Sequence, residues 1–187
     1  SGNTSDNAGG VICWEFSGTP GSGAILVNNT IAANHANVKA GGLYLWNNVN
    51  VTMRNGILWG NTSGGTDPHY LVSPGSSLAA DYSNCEVTLP GGTNNISSDP
   101  LFTDASSQDF SLLAASPCIN TGDTATVGNL LPLNDIVGQS RIAGCLIDMG
   151  SFEAQFVQGG SIASDVTWSA DTVKVVCDVN IENGATL

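Results

Sequence analysis

The chain has very few positive charges, and this shortage excludes several kinds of partner. Its 187 residues include 4 Lys and Arg against 16 Asp and Glu, which gives a formal net charge of −12. A surface this acidic repels nucleic acid and anionic lipid. We therefore expect no nucleic-acid partner, and we interpret the scattered acidic residues mainly as surface charge that favours solubility.

Long apolar runs and paired cysteines are also missing. No apolar stretch approaches the ~20 residues of a membrane-spanning helix, so we expect no transmembrane segment. None of the five cysteines forms a Cys-x-x-Cys pair, which disfavours a zinc knuckle. Cys118 and Cys145 flank one segment and could be bridged, whereas Cys13 and Cys177 lie in strand-like patterns, where cysteine acts as a small hydrophobic residue.

What the chain does contain is a repeat. The segment Ala8–Trp14 recurs 32 residues later as Ala40–Trp46, and Asn29-Thr30-Ile31 aligns with Asn55-Gly56-Ile57 at a shift of 26. An extra loop, Ser17–Ser22, explains the difference between the two shifts. Self-similarity of this period, with β-branched runs and turn residues, predicts a β-solenoid. The Gly-Gly pairs predict corners at positive φ, and the Asn residues predict corners stacked into a ladder.

The pattern divides the chain into three parts. Residues 1–98 are predicted to form the rungs of a parallel β-helix, and residues 99–157 an irregular segment that closes the stack. Gly159-Gly160 marks a break, and residues 158–187 then alternate like the opening strands of a further β unit. Both ends look cut, so we expect an all-β, right-handed parallel β-helix that is incomplete at both ends. Uncovered rung edges would favour self-association.

Several segments resemble a known group of proteins. Asn61 and the tetrads Gly9–Ile12 and Gly41–Tyr44 resemble rungs of bacterial β-helix proteins of the polymorphic outer membrane type. The stretch Ser98–Phe102, with Ser116–Asn120, Gly138–Arg141 and Ile147–Glu153 further on, is similar to the closing segment of choice-of-anchor Q surface proteins. This resemblance implies a secreted or cell-surface bacterial protein, and it implies no catalytic residues.

β-Helices also carry polysaccharide lyases and glycosidases, so charged residues need separate consideration. A lyase needs a base, and the available cations are Lys39, Arg54, Arg141 and Lys174. We expect Arg54 to be solvated and Arg141 to form an ion pair with nearby acids, such as Asp135 or Asp148. A glycosidase needs two carboxylates facing one groove.

The acidic residues gather late in the chain. Residues 1–64 contain only Asp6 and Glu15, whereas seven acids lie in the closing segment: Asp99, Asp104, Asp109, Asp123, Asp135, Asp148 and Glu153. Most adjoin turns, where Asp accepts hydrogen bonds from backbone N–H groups. Asp123, Asp135 and Asp148 are the candidates for a structural calcium ion, the one cofactor that we consider. His35 and His69 are interpreted as surface or corner residues.

Aromatic residues are the remaining candidates for binding. Trp14 and Trp46 occupy equivalent repeat positions and should stack on one face, with Tyr44 and Trp59 nearby. An exposed row of this kind binds sugar rings, although packing beneath a loop is the alternative. We expect a non-catalytic structural or adhesive module, extracellular or on the outer cell surface, with glycans or host and cell-surface components as partners. The alternative is a carbohydrate-active or glycan-binding β-helix.

Overall fold

The computed structural model describes residues 1–14, 23–65, 67–125, 130–143, 146–155, 157–162, 167, 174–181 and 184–186, with the backbone alone in 157–162 and 174–181. These residues include short strands and a turn of 3₁₀ helix, η1 (Ala105–Ser107). No helix in the described part of the chain is long and apolar enough to cross a membrane.

Twelve strands make three successive turns of a coil, which we call rungs. Rung 1 comprises β1 (Thr4–Ser5), β2 (Val11–Trp14), β3 (Gly23–Val27) and β4 (Thr30–Ala32). Rung 2 comprises β5 (His35–Ala36), β6 (Leu43–Trp46), β7 (Asn50–Arg54) and β8 (Ile57–Trp59). Rung 3 comprises β9 (Thr62–Ser63), β10 (Tyr70–Val72), β11 (Ser77–Asp81) and β12 (Asn84–Cys85).

Equivalent strands of the three rungs pair in parallel and build four sheets. Sheet A is β1-β5-β9, sheet B is β2-β6-β10, sheet C is β3-β7-β11 and sheet D is β4-β8-β12. Parallel pairing of every rung with the next defines a parallel β-helix and confirms the predicted fold class. The right-handed sense of the coil stays a prediction.

The strand register confirms the repeat and corrects one of its shifts. Trp14 pairs with Trp46, which is the predicted shift of 32. In sheet D, however, Thr30 pairs with Ile57, so the shift there is 27 and the alignment at 26 is wrong by one residue. The difference between 32 and 27 arises between β2 and β3, where eight residues stand against the three between β6 and β7. The predicted extra loop, Ser17–Ser22, falls in this interval but lies outside the described residues.

The interior is made of columns of apolar side chains that run from rung to rung. Leu43 and Leu45 of β6 are fully buried and pair with Val11 and Cys13 of the rung before. Leu58 is likewise fully buried between its register partners Ile31 and Cys85. Each column continues only if side chains alternate in and out at the same positions of successive rungs, so the core fixes the register. Cys13 packs against this core, as predicted for a small hydrophobic residue.

The glycine pairs are required for a reason other than the predicted one. Gly9, Gly10, Gly41 and Gly42 do not have positive φ, so the prediction of left-handed corners is wrong for them. A Cβ on Gly42 would instead lie 2.2 Å from the carbonyl oxygen of His69 in the next rung, and one on Gly10 would lie 2.5 Å from that of Gly42. Neighbouring rungs therefore approach so closely at this corner that only glycine fits.

Asparagine provides the left-handed corners and the predicted ladders. Asn28 and Asn55 have φ of 50° and 52° at equivalent positions between sheets C and D. Between sheets D and A, Asn3 donates to Asn34 Oδ1 at 3.1 Å, and Asn34 donates to Asn61 Oδ1 at 3.0 Å. Asn34 and Asn61 are buried, so each amide satisfies the next along the stack.

Residues 86–98 lie over the open edge of rung 3. The backbone N–H of Tyr82 donates to Thr93, and the N–H of Cys85 donates to Ile96. The side chain of Leu89 packs into the core beneath. The covering role expected of residues 99–157 is thus filled, at this edge, by the preceding segment.

The described residues of the closing segment, 99–125, 130–143 and 146–155, pack instead on the outside of sheet D. The segment begins with an antiparallel hairpin of β13 (Phe102–Asp104) and β14 (Asp109–Leu112), joined by η1. Ile57 of rung 2 is buried in a second apolar cluster with Cys118, Ile119 and Met149 of this segment. The segment therefore braces the flank of the coil.

The last two strands, β15 (Val157–Ile162) and β16 (Lys174–Ile181), pair in parallel. Within residues 158–187, where the alternation predicts strands, Lys174–Ile181 is one continuous strand. The predicted break at Gly159-Gly160 is wrong, because both residues lie within β15. A register shift between Gln158 and Gly160 shows that they form an irregularity in the strand.

Candidate functional site

The outer side of sheet B carries the most exposed aromatic surface of the rungs. Side chains alternate along β2 and β6, so those that do not enter the core point outward. We call the outward set the aromatic face; its members are Ile12, Trp14, Tyr44, Trp46 and Leu71. Ile12, Trp14 and Trp46 are 51%, 52% and 44% exposed.

Trp14 and Trp46 form the centre of this face. They are register partners on adjacent strands, and their ring centroids lie 5.4 Å apart with an interplanar angle of 35°. The predicted stacking of the two rings on one face is confirmed. Leu45, next to Trp46 in the chain, is fully buried, so the pair stands on a well-packed core.

A recess of about 210 Å³ adjoins the pair, lined by Asn7, Ile12, Tyr44 and Trp46. It combines aromatic walls with an exposed amide and a phenol group. This combination suits a ligand that has both apolar faces and hydroxyl groups. The recess therefore adds Asn7, which the sequence did not single out, to the predicted residues.

Trp59 lies elsewhere. It belongs to β8 of sheet D and packs, partly buried, against the cluster that contains Ile57 and Met149. The structure thus brings together Trp14, Tyr44 and Trp46, but it separates Trp59 from them. The sequence placed Trp59 nearby because it is close in the chain, whereas the corners of the coil direct it to another sheet.

The acids of the closing segment act mainly on backbone N–H groups, as predicted. Asp135 accepts from Val137 at 3.0 Å and Gln139 at 2.8 Å through Oδ1, and from Glu153 at 3.1 Å through Oδ2. Asp148 is fully buried and accepts from Asn120 and Ala154, each at 2.7 Å. Asp99, Asp104, Asp109 and Asp123 each accept from an N–H two residues later.

These contacts also locate the calcium candidates Asp123, Asp135 and Asp148. Among the described residues, no group of three or more His, Cys, Asp or Glu side chains is arranged to hold a metal ion. Asp135 and Asp148 belong to one buried charged cluster, whereas the carboxylate of Asp123 accepts from Ala125. A structural cation thus stays a prediction from the sequence.

Arg141 is the cation of that buried charged cluster. It is 3% exposed, and its Nη1 lies 3.7 Å from Oε2 of Glu153, whose side chain is 2% exposed. Nη1 and Nη2 also donate to the carbonyl oxygens of Gly150 and Ser151 at 3.1 and 3.0 Å. The predicted ion pair is confirmed in kind, but its partner within contact distance is Glu153. Such a pair orders a loop because breaking it leaves a buried charge uncompensated.

Burial sets the protonation of this cluster. It raises the pKa of Glu153 to about 8, with a smaller contribution from the negative charge of Asp148. Burial also lowers the pKa of Arg141, against the attraction of Glu153, Asp135 and Asp148. The desolvated carboxyl of Glu153 therefore keeps its proton to a higher pH than an exposed glutamate does.

A groove of about 510 Å³ runs beside this cluster. Three acids, Asp109, Asp135 and Glu153, contribute to its lining. Asp135 already accepts three N–H groups, and Asp109 accepts the N–H and hydroxyl of Ser111. The carboxyl groups are thus engaged in holding the surrounding loops.

His69 has a partner that the sequence reading missed. It is buried, and its Nε2 lies 3.3 Å from Oε2 of Glu86, whose Oε1 accepts the N–H of Gly60 at 2.6 Å. Glu86 follows β12 directly, one rung on from Gly60. The register of the coil was the signal that could have found this pair. His35 is partly exposed and lies 2.9 Å from Thr62 Oγ1.

Comparison with known proteins adds no family to this description. No family model matches the chain, and no curated protein or solved structure matches it. The class that the fold defines is a parallel β-helix with an external bracing segment and an exposed aromatic face.

Proposed function

We propose that the chain is a non-catalytic structural or adhesive module of a secreted or cell-surface bacterial protein. The observation that carries this proposal is the exposed Trp14–Trp46 pair on a face backed by fully buried side chains. Exposed aromatic groups on a rigid support are suited to contact because little conformational entropy is lost when they bind. Adhesion through sheet B therefore requires no catalytic residues.

The structural half of the proposal is supported by how the polar groups are used. Asparagine amides bond along the stack, and the closing-segment aspartates bond to their own loops. These side chains are explained by holding the backbone in place. A stiff coil of this kind suits a spacer that carries a contact surface away from its attachment.

The extracellular half is supported by the resemblance of the rung tetrads and closing motifs to bacterial surface β-helix proteins. The described cysteines are compatible with an oxidising exterior. Burial raises the pKa of Cys85 and Cys118 to about 11, and both are free thiols. A buried, protonated thiol is a poor nucleophile, so these residues resist oxidation.

A carbohydrate-active enzyme is the second candidate, and the groove beside Asp109 and Glu153 favours it. Two carboxyl groups that line one groove are the arrangement that glycoside hydrolysis uses. Against this assignment, the side chain of Glu153 is 2% exposed and Asp109 is bonded to Ser111. We therefore rank the enzyme below the adhesive module.

One experiment separates the two candidates. The purified chain is assayed for attachment to bacterial and host-cell surfaces and for release of reducing or unsaturated ends from a polysaccharide panel. We expect attachment that Trp14→Ala with Trp46→Ala abolishes, while Leu133→Ala, at another site 89% exposed, leaves it unchanged. Product release that disappears in Asp109→Asn would overturn the non-catalytic proposal. Absence of attachment to every surface would remove the adhesive part.

Self-association through rung edges stays a further prediction. The rung 1 strand is at one edge of all four sheets, so its outer N–H and C=O groups are placed for pairing with another strand. Light scattering across a concentration series tests it, and a strict monomer counts against it.

A further inference from the structure

The two tryptophan rings follow the axis of the coil. Trp14 belongs to rung 1 and Trp46 to rung 2, and their separation of 5.4 Å reflects the spacing of adjacent parallel strands. The rings are tilted by 35° to each other, and both side chains are about half exposed, so each keeps part of its surface open to solvent. An extended chain of flat-faced units, laid across the strands of sheet B, would meet one exposed indole per rung.

The recess next to Trp46 supplies polar contacts. Asn7 is exposed at the corner before β2, and Tyr44 occupies the outward position next to Ile12 in register. A wholly apolar occupant would cover the Asn7 amide and leave its donors unpaired, which costs free energy. A pyranose ring presents C–H groups to an aromatic face and hydroxyl groups at its rim, so it can satisfy both kinds of surface.

The negative charge of the protein narrows the class of sugar that the aromatic face can bind. The chain has a net charge of −12, and Asp6 stands directly before Asn7, where it accepts from Asn37 at 2.8 Å. A polymer of uronates or sulfated sugars would be repelled by this field. An uncharged glycan carries no such cost.

We propose that the aromatic face binds an uncharged glycan chain lying across β2 and β6. Trp14 and Trp46 stack on successive sugar rings, and Asn7 and Tyr44 hydrogen-bond to hydroxyl groups in the recess. This inference rests on the proposed adhesive function and names the partner of the same surface.

The test is a titration of intrinsic tryptophan fluorescence, repeated by calorimetry. The probes are neutral oligosaccharides of glucose, mannose, galactose and N-acetylglucosamine in increasing length, with oligogalacturonate as the anionic match. We expect binding to at least one neutral series, with affinity rising until the chain spans both rings. Trp14→Ala and Trp46→Ala should each weaken binding about tenfold.

Controls separate loss of contact from loss of fold. Leu133→Ala should bind like the wild type, and Asn7→Ala changes an exposed residue, so its effect reports on the recess itself. Preference for oligogalacturonate, or neutral binding that both tryptophan variants retain, would overturn the inference. Surface attachment that needs both tryptophans but is accompanied by no oligosaccharide binding would indicate a protein partner, so this inference fails while the adhesive function stands. If no surface and no oligosaccharide is bound, both fail.

Discussion

The rungs and the closing segment both hide backbone N–H and C=O groups from water, but they satisfy them by different means. In the rungs, strands pair from turn to turn and neutral asparagine amides continue the pairing at the corners. In the closing segment, where strands are few, the buried carboxylates of Asp135 and Asp148 take up loop N–H groups. Repeated strand pairing thus satisfies the backbone of the rungs, and carboxylate side chains satisfy the backbone of the closing segment.

The difference has an energetic consequence. A neutral ladder is indifferent to pH, whereas buried charges bring a desolvation cost that depends on protonation. The stability of the closing segment should therefore depend on pH. The stability of the rungs should depend mainly on the size and fit of their side chains. The predictions below test this division, beginning with the largest effect.

Glu153→Gln tests the charge of the closing segment. Burial and the charge of Asp148 raise the pKa of Glu153 from 4.5 to about 8. Between these values the unfolded chain has lost a proton that the folded chain retains, so the free energy of unfolding falls as the pH rises. Each pKa unit corresponds to about 1.4 kcal/mol, so several kcal/mol are lost above this window and none below it.

Glutamine cannot ionise, so the variant should match the wild type at the acidic end and exceed its stability at the alkaline end. Denaturant unfolding followed by tryptophan fluorescence across this range measures both. Asp104 titrates in a separate window, because hydrogen bonds from Ser106 and Ser107 lower the pKa of its carboxyl from 3.8. The stability that these bonds give is present at neutral pH and is lost only when the pH falls below that value. Equal pH profiles for the two proteins would contradict the assignment.

Arg141→Met tests the same cluster from its cationic side. The change leaves the carbonyl groups of Gly150 and Ser151 without their donors and leaves the buried acids without the guanidinium. Removing one partner of a buried pair costs about 3–5 kcal/mol. Hydrogen exchange should show protection lost in the closing segment and kept in β6 and β7. Lys39→Met is the control on the rungs, and uniform loss of protection would show that the two regions unfold together.

Gly42→Ala tests the close approach of rungs. The added Cβ would lie 2.2 Å from the carbonyl oxygen of His69 and 2.8 Å from Cδ1 of Leu58. We expect a loss of about 3 kcal/mol, since the backbone must shift. Gly23→Ala is the matched control in β3, because its Cβ would meet only Asn50 O at 3.6 Å. Equal thermal midpoints for the two variants would show that the glycine column does not limit packing.

Asn34→Ala removes the middle amide of a ladder. The buried amide of Asn61 then loses its donor, and the N–H of Asn3 loses its acceptor. We expect a loss of about 2 kcal/mol with no change in pH dependence. Asn29→Ala, at an exposed position, should cost little. A ladder variant whose stability became pH-dependent would break the division between the regions.

Much of the rung architecture is accessible from the sequence because the same positions recur. The pairing of Trp14 with Trp46 follows from two nearly identical segments. The one-residue error at the next corner arose because Asn28 and Asn29 are adjacent and both suit a turn. The left-handed φ of Asn28 and its contact with Asn55 decide between them, and neither is written in the alternation of apolar residues.

Other features depend on distance rather than pattern. The sequence alone does not show whether Gly42 is needed for a positive φ or because it lacks a Cβ. The close approach of the carbonyl oxygen of His69 shows that the missing Cβ is the reason. The partner of Arg141 was expected to be Asp135 or Asp148, and the folded loop places Glu153 in contact instead. The recess beside Trp46 needed Asn7 from the preceding corner, which the repeat did not emphasise.

The unequal corners of the coil show where the chain can vary in length without disturbing the strands. Two residues separate sheets C and D in every rung, whereas eight, three and four residues separate sheets B and C in successive rungs. The strands on either side keep their register despite this difference. Trp14 and Trp46 are the last residues before the variable corner. Foreign segments could be grafted there beside the aromatic face, so the coil offers an engineer a place where recognition can be altered while its construction stays the same.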